Sequence, residues 1–232
     1  FLNSSGCLQV GKTFFIDEPM NKAIGLFEDG NCTELEEYCS HSLLEGLSFK
    51  AVDKQGNIAG VIISGLIRVS ILKIIHAKHC VNPKFQKILY VLAQREDGAR
   101  LWEKFQDEKL VDVKVAATDP SWRRKGIMNA LVEKTELAVK ERGIRLLRMD
   151  CSSAFSAKSA ERLGFTCMYS AKYTDITMEG KPLVVPEAPH VDDRVYVKLR
   201  VEFIKKNLIF HSLETFHKVG KKKRCKKTFK RR

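Results

Sequence analysis

Apolar residues fall into two kinds of segment along this chain, and their alternation predicts a mixed α/β fold. Short runs rich in Val, Ile, Leu and Phe, bounded by turn residues, are typical of strands. We predict strands at 47–53, 58–69, 110–118, 144–151, 165–176 and 194–201. Segments whose apolar residues recur every three to four positions are typical of amphipathic helices. We predict a short helix opening at Glu18-Pro19 and longer ones at 31–44, 83–94, 99–106, 125–141 and 154–163.

Turn and cap residues indicate where several of these elements begin and end. The sequence DKQGN at 53–57 is a hairpin signal between the first two strands. Asp17 is placed to cap the short helix, with Pro19 in its first turn, or to pair with a basic residue such as Arg123. Gly143 and Gly164 follow two of the longer helices, where glycine commonly ends a helix because it adopts a left-handed conformation easily.

The middle of the chain runs strand, helix, strand, helix, strand. Strands that alternate with helices pair in parallel through right-handed crossovers. At 232 residues the chain is long enough for one such domain with a substantial core. We therefore predict a mixed α/β domain with a twisted central sheet flanked by helices.

The net charge of +13 is concentrated at one end of the chain. Residues 200–232 hold 13 of the 41 basic residues and 2 of the 28 acidic ones, so the rest is nearly neutral. We predict a folded domain at 1–201 and a basic tail at 202–232. Within the tail's run KKKRCKKTFKRR, Phe229 is the single aromatic residue, so any binding of nucleic acid there would be electrostatic and non-specific. Nucleic acid is not the expected partner of the domain.

The seven cysteines are scattered, and no Cys-x-x-Cys pair occurs. This usage is typical of reduced intracellular thiols, and no apolar run approaches the length that crosses a bilayer. We therefore predict a cytoplasmic protein that does not bind membranes. The run His-Ala-Lys-His-Cys at 76–80 resembles part of a metal site, but no second cluster is spaced to complete four zinc ligands. We predict no bound metal.

The segment 113–131, VKVAATDPSWRRKGIMNAL, combines a strand, a basic turn and the start of a helix. Unpaired N–H groups and the positive end of the helix dipole would meet there with Arg123, Arg124 and Lys125, which together form a site for phosphate groups. Cations at a helix N-terminus cost stability unless an anion offsets them, which favours a ligand over a merely solvated turn. The sequence contains neither a GxxxxGK[ST] loop nor a GxGxxG turn, so it predicts neither a nucleoside-triphosphate loop nor a dinucleotide fold.

Three segments together resemble one known family. The Arg-x-x-Gly turn at 123–126 and the sequence DCSSAFSAKSAERLGF at 150–165 are similar to the acetyl-CoA core of the GCN5-related N-acetyltransferase superfamily. With FFIDEPMNKAIGL at 14–26, the resemblance narrows to the insect arylalkylamine (dopamine-type) N-acetyltransferases, and it covers residues 13–200. It implies a twisted mixed sheet flanked by helices, with the family's first strand expected to be missing before Gly11.

The resemblance implies transfer of an acetyl group from acetyl-CoA to a primary amine, by direct attack in a ternary complex. A protonated amine cannot attack until a base removes a proton, and Glu18 occupies the family position of that base. Ser152 and Ser156 occupy positions implicated in turnover, through proton transfer or through contacts with cofactor and substrate. Structural alternatives remain open: an acidic residue such as Glu18 suits a helix N-terminus, and Ser152 or Ser153 would cap the helix at 154–163.

The resemblance also implies where acetyl-CoA binds. Backbone N–H groups of a bulged strand at 115–117 would face the thioester, and those at 124–128 would hold the pyrophosphate. The implied cofactor-binding residues are Val115, Ala116, Ala117, Thr118, Arg123, Arg124, Lys125, Gly126, Ile127, Met128 and Ser156. Met128 departs from the family pattern, which has Gly or Ala there, so we expect a bulky side chain near the diphosphate.

The sequence does not select the amine. Dopamine, tyramine, octopamine, serotonin and tryptamine are the arylalkylamines that the resemblance implies, whereas polyamines, other small amines or protein amines would use the same cofactor site. A degenerate, non-catalytic copy of the fold, whose function lies in its basic tail, is the alternative from a different class. We expect a monomer whose partners are acetyl-CoA and a small-molecule amine.

Overall fold

The computed structural model describes residues 15–68, 77–106 and 108–199. The predicted basic tail at 202–232, the region before Gly11 and His76 of the His-Ala-Lys-His-Cys run all lie outside the described residues. The boundary of the folded domain at residue 201 therefore stays a prediction.

The described residues form strands and helices in the alternating order that the sequence predicts. The strands are β1 (Phe49–Val52), β2 (Ile58–Arg68), β3 (Lys109–Thr118), β4 (Leu146–Cys151), β5 (Thr166–Lys172), β6 (Thr177–Met178), β7 (Lys181–Pro182) and β8 (Asp192–Leu199). The helices are α1 (Pro19–Ala23), α2 (Thr33–Ser40), α3 (Pro83–Ala99), α4 (Leu101–Lys104), α5 (Ile127–Glu141) and α6 (Ala154–Arg162). Short 3-10 turns lie at His41–Glu45, Pro120–Trp122 and Tyr173–Asp175.

The central sheet has six strands in the order β1-β2-β3-β4-β8-β5. Strands β3 and β4 are parallel, and every other neighbouring pair is antiparallel. A separate two-stranded pair is formed by β6 and β7. The predicted mixed α/β architecture with a central sheet flanked by helices is confirmed.

One pairing differs from the prediction that consecutive strands of the middle segment are parallel neighbours. Strand β8 enters between β4 and β5 and runs antiparallel to both. Three consecutive residues of β8, Val195, Tyr196 and Val197, are almost completely buried. Burial on both faces is typical of a central strand, and the order of elements along the chain does not reveal such an insertion.

Helix α3 is longer than predicted, because it continues through Gly98 to Ala99 instead of ending at Gln94. Gly98 is required there by the approach of β5, since a Cβ at this position would collide with the ring of Tyr169. Arg100 then ends the helix with a left-handed backbone, at φ 46°. The long helix thereby reaches across the sheet and packs on both β5 and β8.

Helices cover both faces of the sheet. On one face, α5 and α6 pack through residues such as Val132, Val139 and Ala160 against a core that includes Leu147 and Tyr196. On the other face, α1, α2 and α3 enclose two further apolar clusters. The two faces are therefore closed by different parts of the chain, and the first segments of the chain form the second face.

The sheet opens between β3 and β4. Their parallel ladder runs only from the pair Leu110–Leu146 to the pair Val113–Met149. Strand β3 stays paired with β2 as far as Thr118, whereas β4 stays paired with β8 as far as Cys151. The two strands therefore separate beyond Val113, next to the segment 115–117 where the resemblance implies a bulged strand.

Candidate active site

A bulge in β3 lies where the sheet opens. The ladder with β2 skips Lys114, because Ser64 pairs with Val113 and Ile63 pairs with Val115. A bulge of this kind bends the strand and increases its twist. It directs two successive side chains to the same face: Lys114 Nζ lies 4.4 Å from the centroid of the Tyr38 ring, and Val115 packs in the cluster that contains Cys39.

Beyond the bulge, the edge of β3 that faces β4 carries backbone groups outside any ladder with that strand. The alternating side chains of Val115, Ala116 and Ala117 pack into the apolar clusters on the two faces of the sheet, and Thr118 is half-buried. The small side chains of the two alanines leave the backbone approachable. An extended ligand could therefore lie along this edge and accept hydrogen bonds from its N–H groups.

The basic turn leads directly into the N-terminus of α5. Gly126 is the N-cap residue, has φ 78°, and no side chain caps the helix. Arg124 also has a left-handed backbone, at φ 61°, which is uncommon for a residue other than glycine and is typical of functional turns. No acidic residue lies in the first turn of this 15-residue helix. Its first N–H groups are therefore left for an anion.

The cations of the turn are held by neighbouring groups. Arg123 Nη2 lies 3.5 Å from Asp17 Oδ2, and both side chains are more than half exposed. Lys125 Nζ lies 4.4 Å from the centroid of the Trp122 ring. The ion pair joins the basic turn to the segment just before α1, so residues that are 106 positions apart in the sequence meet at the mouth of the split.

Met128 lies in the first turn of α5. It is half-buried, and together with Ile127 it packs against the apolar core between α5 and the sheet. The helix therefore turns this side chain towards the core, and the expectation of a bulky side chain near the diphosphate stays a prediction. The backbone N–H groups at the start of α5 remain accessible despite the departure from the family pattern.

Glu18 is the N-cap residue of α1. Its Oε2 atom accepts a hydrogen bond of 2.7 Å from the Asn21 N–H. The prediction that Asp17 caps this helix is wrong, since Asp17 points to Arg123 instead. The capping alternative for Glu18 is thus correct, but it accounts for only one of the two carboxylate oxygens.

The second oxygen of Glu18, Oε1, is buried and receives no hydrogen bond from the described residues. Burial raises the pKa of this carboxyl, since removal from water penalises the charged form. This rise in pKa is partly opposed by the Ser152 hydroxyl, by the N–H groups of Asn21 and Met20, and by the charge of Arg95. The result is a desolvated carboxylate beside the Ser152 hydroxyl, an environment that suits a general base.

The structure separates the predicted serines. Ser153 is the N-cap residue of α6, and Ser156 completes a capping box, with 2.8 Å between the two Oγ atoms. Ser152 lies outside this box at the end of β4, and its hydroxyl faces Glu18 closely enough to lower the pKa of that carboxyl. The geometry therefore brings Ser152 to Glu18 and engages Ser156 in capping.

Sequence reasoning missed a buried cluster of charges beside Glu18. Arg95 of α3 forms ion pairs with Asp193 of β8 and Asp150 of β4. Arg148 is completely buried and pairs with Glu96 and Asp150. The signal that could have revealed the cluster is the charged pair Arg95-Glu96 on the apolar side of α3, but such a pair is more often solvated.

A cavity of 370 Å³ also escaped prediction. Its walls are apolar side chains of α2 and α3, namely Tyr38, Phe85, Leu89 and Leu92, and its rim carries Glu34, Glu37, His41, His79 and Cys80. Tyr38 connects the cavity to the site, because its ring lies under the Lys114 ammonium at the bulge of β3. The cavity is thus adjacent to the opening of the sheet and has an acidic entrance.

His79 and Cys80, which belong to the predicted metal-like run, line this cavity. Among residues 15–68, 77–106 and 108–199, no group of three or more His, Cys, Asp or Glu side chains is arranged to hold a metal ion. Within the same ranges, no helix is long and apolar enough to cross a membrane.

Several solved structures that are similar to this chain are N-acetyltransferases, whereas no family model matches the chain. Arylalkylamine N-acetyltransferase 2 from Aedes aegypti is 28% identical, with a TM-score of 0.75 over 80% of this chain and 88% of that one. A Drosophila melanogaster polyamine N-acetyltransferase, which forms N-acetylagmatine, is 19% identical, with a TM-score of 0.77 over 85% and 97%.

A mosquito arylalkylamine N-acetyltransferase-like protein, 5b, is 24% identical, with a TM-score of 0.75 over 84% of this chain and 95% of that one. At identities below 25%, such matches establish the fold alone, and the Aedes aegypti enzyme adds a somewhat nearer similarity in sequence. The resemblance inferred from the three sequence segments is thereby confirmed. The chain has the fold of the GCN5-related N-acetyltransferase superfamily and resembles its insect arylalkylamine N-acetyltransferases.

Proposed function

We propose that this protein transfers the acetyl group of acetyl-CoA to the primary amine of an arylalkylamine. The observation that carries the proposal is the buried Glu18 carboxylate, whose Oε1 atom is without a hydrogen bond from the described residues and whose carboxyl group neighbours the Ser152 hydroxyl. Burying a carboxylate costs stability, and carboxyl groups with a raised pKa are concentrated at functional sites. Removal of a proton from a substrate ammonium is a function that such a carboxylate can perform.

The residues around the split fit acetyl-CoA. The uncapped N-terminus of α5 would hold its pyrophosphate, with Arg123, Arg124 and Lys125 nearby, and the free edge of β3 would receive its extended arm. Gly126 faces open space in which the phosphates could lie, since a methyl group added at its Cα would meet no protein atom within 4 Å. Acetyl-CoA supplies an activated carbonyl group for attack by an amine.

The chain's own groups would then act in sequence. Glu18 takes a proton from the ammonium, directly or through water, so that the neutral amine can attack. The N–H groups of β3 beyond Lys114 stabilise the negative charge that develops on the carbonyl oxygen. The nitrogen loses a second proton as the amide forms, and Ser152 passes this proton to the departing thiolate, so that its own hydroxyl is left unchanged. No covalent enzyme intermediate is required, because the amine attacks the thioester itself.

Ser152→Ala should slow turnover, whereas Ser156→Ala should mainly lower stability. We expect kcat to fall about 10-fold in the first variant, because its hydroxyl is the one that faces Glu18. The second variant loses part of the α6 capping box, at a cost of about 1 kcal/mol in the free energy of unfolding. Steady-state kinetics and thermal denaturation of both proteins check the assignment. A larger loss of kcat in Ser156→Ala would reverse it.

The cavity beside Tyr38 gives the best account of the amine's other end. Its apolar walls suit an aryl or hydrocarbon group, and the carboxylates of Glu34 and Glu37 at its rim attract a cation. These features support an arylalkylamine as the first candidate. The same acidic rim keeps polyamines and agmatine as the second candidate, and the similarity of fold to the polyamine N-acetyltransferase favours testing them in parallel.

Glu37→Gln should raise the KM for the amine about 3-fold without changing the KM for acetyl-CoA. The exposed carboxylate attracts a cationic substrate through solvent, so the effect should shrink as salt is added. Glu141→Gln is the matched control, since Glu141 is an exposed acid at the end of α5 on the opposite face of the sheet. Equal effects of the two substitutions on the amine KM would remove the cavity rim from substrate selection.

A screen for release of free thiol decides the function. Purified protein is incubated with acetyl-CoA and, separately, with tyramine, dopamine, tryptamine, agmatine and spermidine. We expect release with the arylalkylamines. Binding of CoA without release for any amine would contradict the proposal. Absence of CoA binding, together with salt-sensitive binding of nucleic acid that is lost on deleting 202–232, would establish the non-catalytic alternative.

The monomeric state and the cytoplasmic location stay predictions.

A further inference from the structure

Arg95 lies on the buried side of α3, four residues before its end, and is 3% exposed. Its guanidinium forms two parallel hydrogen bonds with Asp193 of β8, from Nε to Oδ2 at 2.7 Å and from Nη2 to Oδ1 at 2.5 Å. Its Nη1 atom donates to Asp150 Oδ2 of β4 at 3.0 Å. One side chain therefore links a helix on the second face of the sheet to two neighbouring strands, on the far side of the split from β3.

A second set of contacts leads from Asp193 to Ser152. The Tyr173 hydroxyl donates to the backbone carbonyl of Ser152, with 3.0 Å between the oxygens, and lies 3.4 Å from Asp193 Oδ1. Asp150, two residues before Ser152, is held by Arg95 through its side chain. The segment that ends β4 is thus fixed at both ends, by its side chain at Asp150 and by its carbonyl at Ser152.

Arg95 also acts on Glu18 through its charge. The groups that face the Glu18 carboxyl are the Ser152 hydroxyl, the N–H groups of Met20 and Asn21, and the Arg95 guanidinium. The Tyr173 hydroxyl is near enough for the Glu18 charge to affect it in turn. Among these groups Arg95 is the cation, so its charge favours the ionised carboxylate against the penalty of burial.

We propose that Arg95 is a positioning residue for acetyl transfer, which holds Ser152 in place through Asp193 and Tyr173. Its guanidinium charge acts on Glu18 from the same position. The inference rests on the proposed function. A purely structural ion pair would join α3 to the sheet without reaching the reactive groups. Arg148 is closer to that kind of residue: it is fully buried, and within the described part of the chain its ion pairs are with Glu96, Asp112 and Asp150. It shares Asp150 with Arg95, but the route to Ser152 through Asp193 and Tyr173 belongs to Arg95.

The two arginines therefore form a matched pair for the test. Arg95→Met and Arg148→Met each remove one buried guanidinium and leave carboxylates behind, so both should lower the melting temperature. Only Arg95→Met should move the acidic limb of the kcat/KM profile to higher pH, since Glu18 loses the charge that opposes its raised pKa. We also expect kcat to fall about 10-fold in Arg95→Met, through misplacement of Ser152.

Two milder variants keep the test decisive if Arg95→Met does not fold. Arg95→Lys retains the charge but not the paired hydrogen bonds, so the acidic limb should stay in place while kcat falls. Tyr173→Phe removes only the hydroxyl that reaches Ser152, and it should lower kcat with the acidic limb unmoved.

The wild-type protein in the same assay separates the two claims. If it acetylates no amine, the proposed function fails, whatever the variants do. If it is active, identical pH profiles for Arg95→Met and Arg148→Met at a temperature where both are folded would overturn the role of Arg95. Unchanged kcat in both Arg95→Lys and Tyr173→Phe would overturn it as well.

Discussion

Glu18→Gln should lower kcat/KM by about 100-fold or more near neutral pH, because general bases contribute ~10²–10⁴ to rate. Glutamine keeps an oxygen for the Asn21 N–H but cannot take a proton. The deficit should shrink as the pH rises, since the amine then loses its proton without help. Initial rates of thiol release from pH 6 to 10, at saturating acetyl-CoA, measure the difference. A constant ratio of the two rates across this range would remove Glu18 from proton transfer.

The same substitution should stabilise the fold, which serves as its control. The pKa of Glu18 is raised in the folded protein, so the folded state binds more protons than the unfolded state between the ordinary and the raised value. Wild-type stability therefore falls as the pH rises through that window. At a pH above this window we expect Glu18→Gln to melt a few degrees higher than wild type, and at a pH below it we expect the two to melt at the same temperature. A difference of ~1 kcal/mol shifts the melting temperature of a protein of this size by about 2–4 °C. A lower melting temperature would mean that the loss of activity reports damage to α1.

Gly126→Ala should raise the KM for acetyl-CoA about 10-fold and leave the amine KM unchanged. The new methyl group would meet no protein atom within 4 Å, but it would occupy the space in front of the α5 N-terminus where phosphate groups bind. The left-handed backbone, at φ 78°, adds a cost of about 1 kcal/mol in stability. Kinetics with varied acetyl-CoA and direct titration with CoA measure the effect.

Gly143→Ala supplies the matched control. Gly143 follows the C-terminus of the same helix, has φ 67°, and a methyl group there would also meet nothing within 4 Å. The two variants should therefore lose similar stability. An equal rise of the acetyl-CoA KM in both would show that backbone strain, rather than the space before α5, accounts for the result.

Local chemistry made some elements predictable from the sequence. The DKQGN turn joins β1 and β2, and Asp53 accepts hydrogen bonds from the N–H groups of Gln55 and Asn57 within it. The last residue of α5, Glu141, was also predicted correctly, since Gly143 favours a left-handed backbone just beyond it. In both cases the residues that determine the structure are neighbours along the chain, so their preferences can be read without knowledge of the fold.

Other features depend on residues far apart in the sequence and could not be predicted. The continuation of α3 through Gly98 follows from packing against Tyr169, 71 positions later. The choice of Glu18 over Asp17 as the cap of α1 depends on Arg123, which attracts the aspartate. Asp is the more usual N-cap residue of the two, so propensity alone favours Asp17, and only the tertiary contact accounts for the cap at Glu18.

The residues of the candidate site also fall into those that can be predicted from the sequence and those that cannot. Its reactive residues carry recognisable motifs, and the resemblance therefore proposed Glu18, Ser152 and the basic turn. Arg95 and Tyr173 belong to no motif, because their contribution consists of contacts with Asp193 and Asp150 on separate strands. Residues that support a site through buried contacts leave little trace in one sequence.

The opening between β3 and β4 also affects how the protein avoids self-association. An unpaired strand edge at the rim of a sheet is a template for another chain, and it promotes aggregation. Here the free edge of β3 lies inside the sheet, opposite β4, and the gap closes to ordinary strand spacing at Val113 and Met149. A polypeptide strand entering this wedge would meet the closed end after a few residues, whereas a narrow, flexible molecule could lie along it. The backbone hydrogen-bonding groups of β3 in this wedge are therefore accessible to small ligands but not to a strand of another protein.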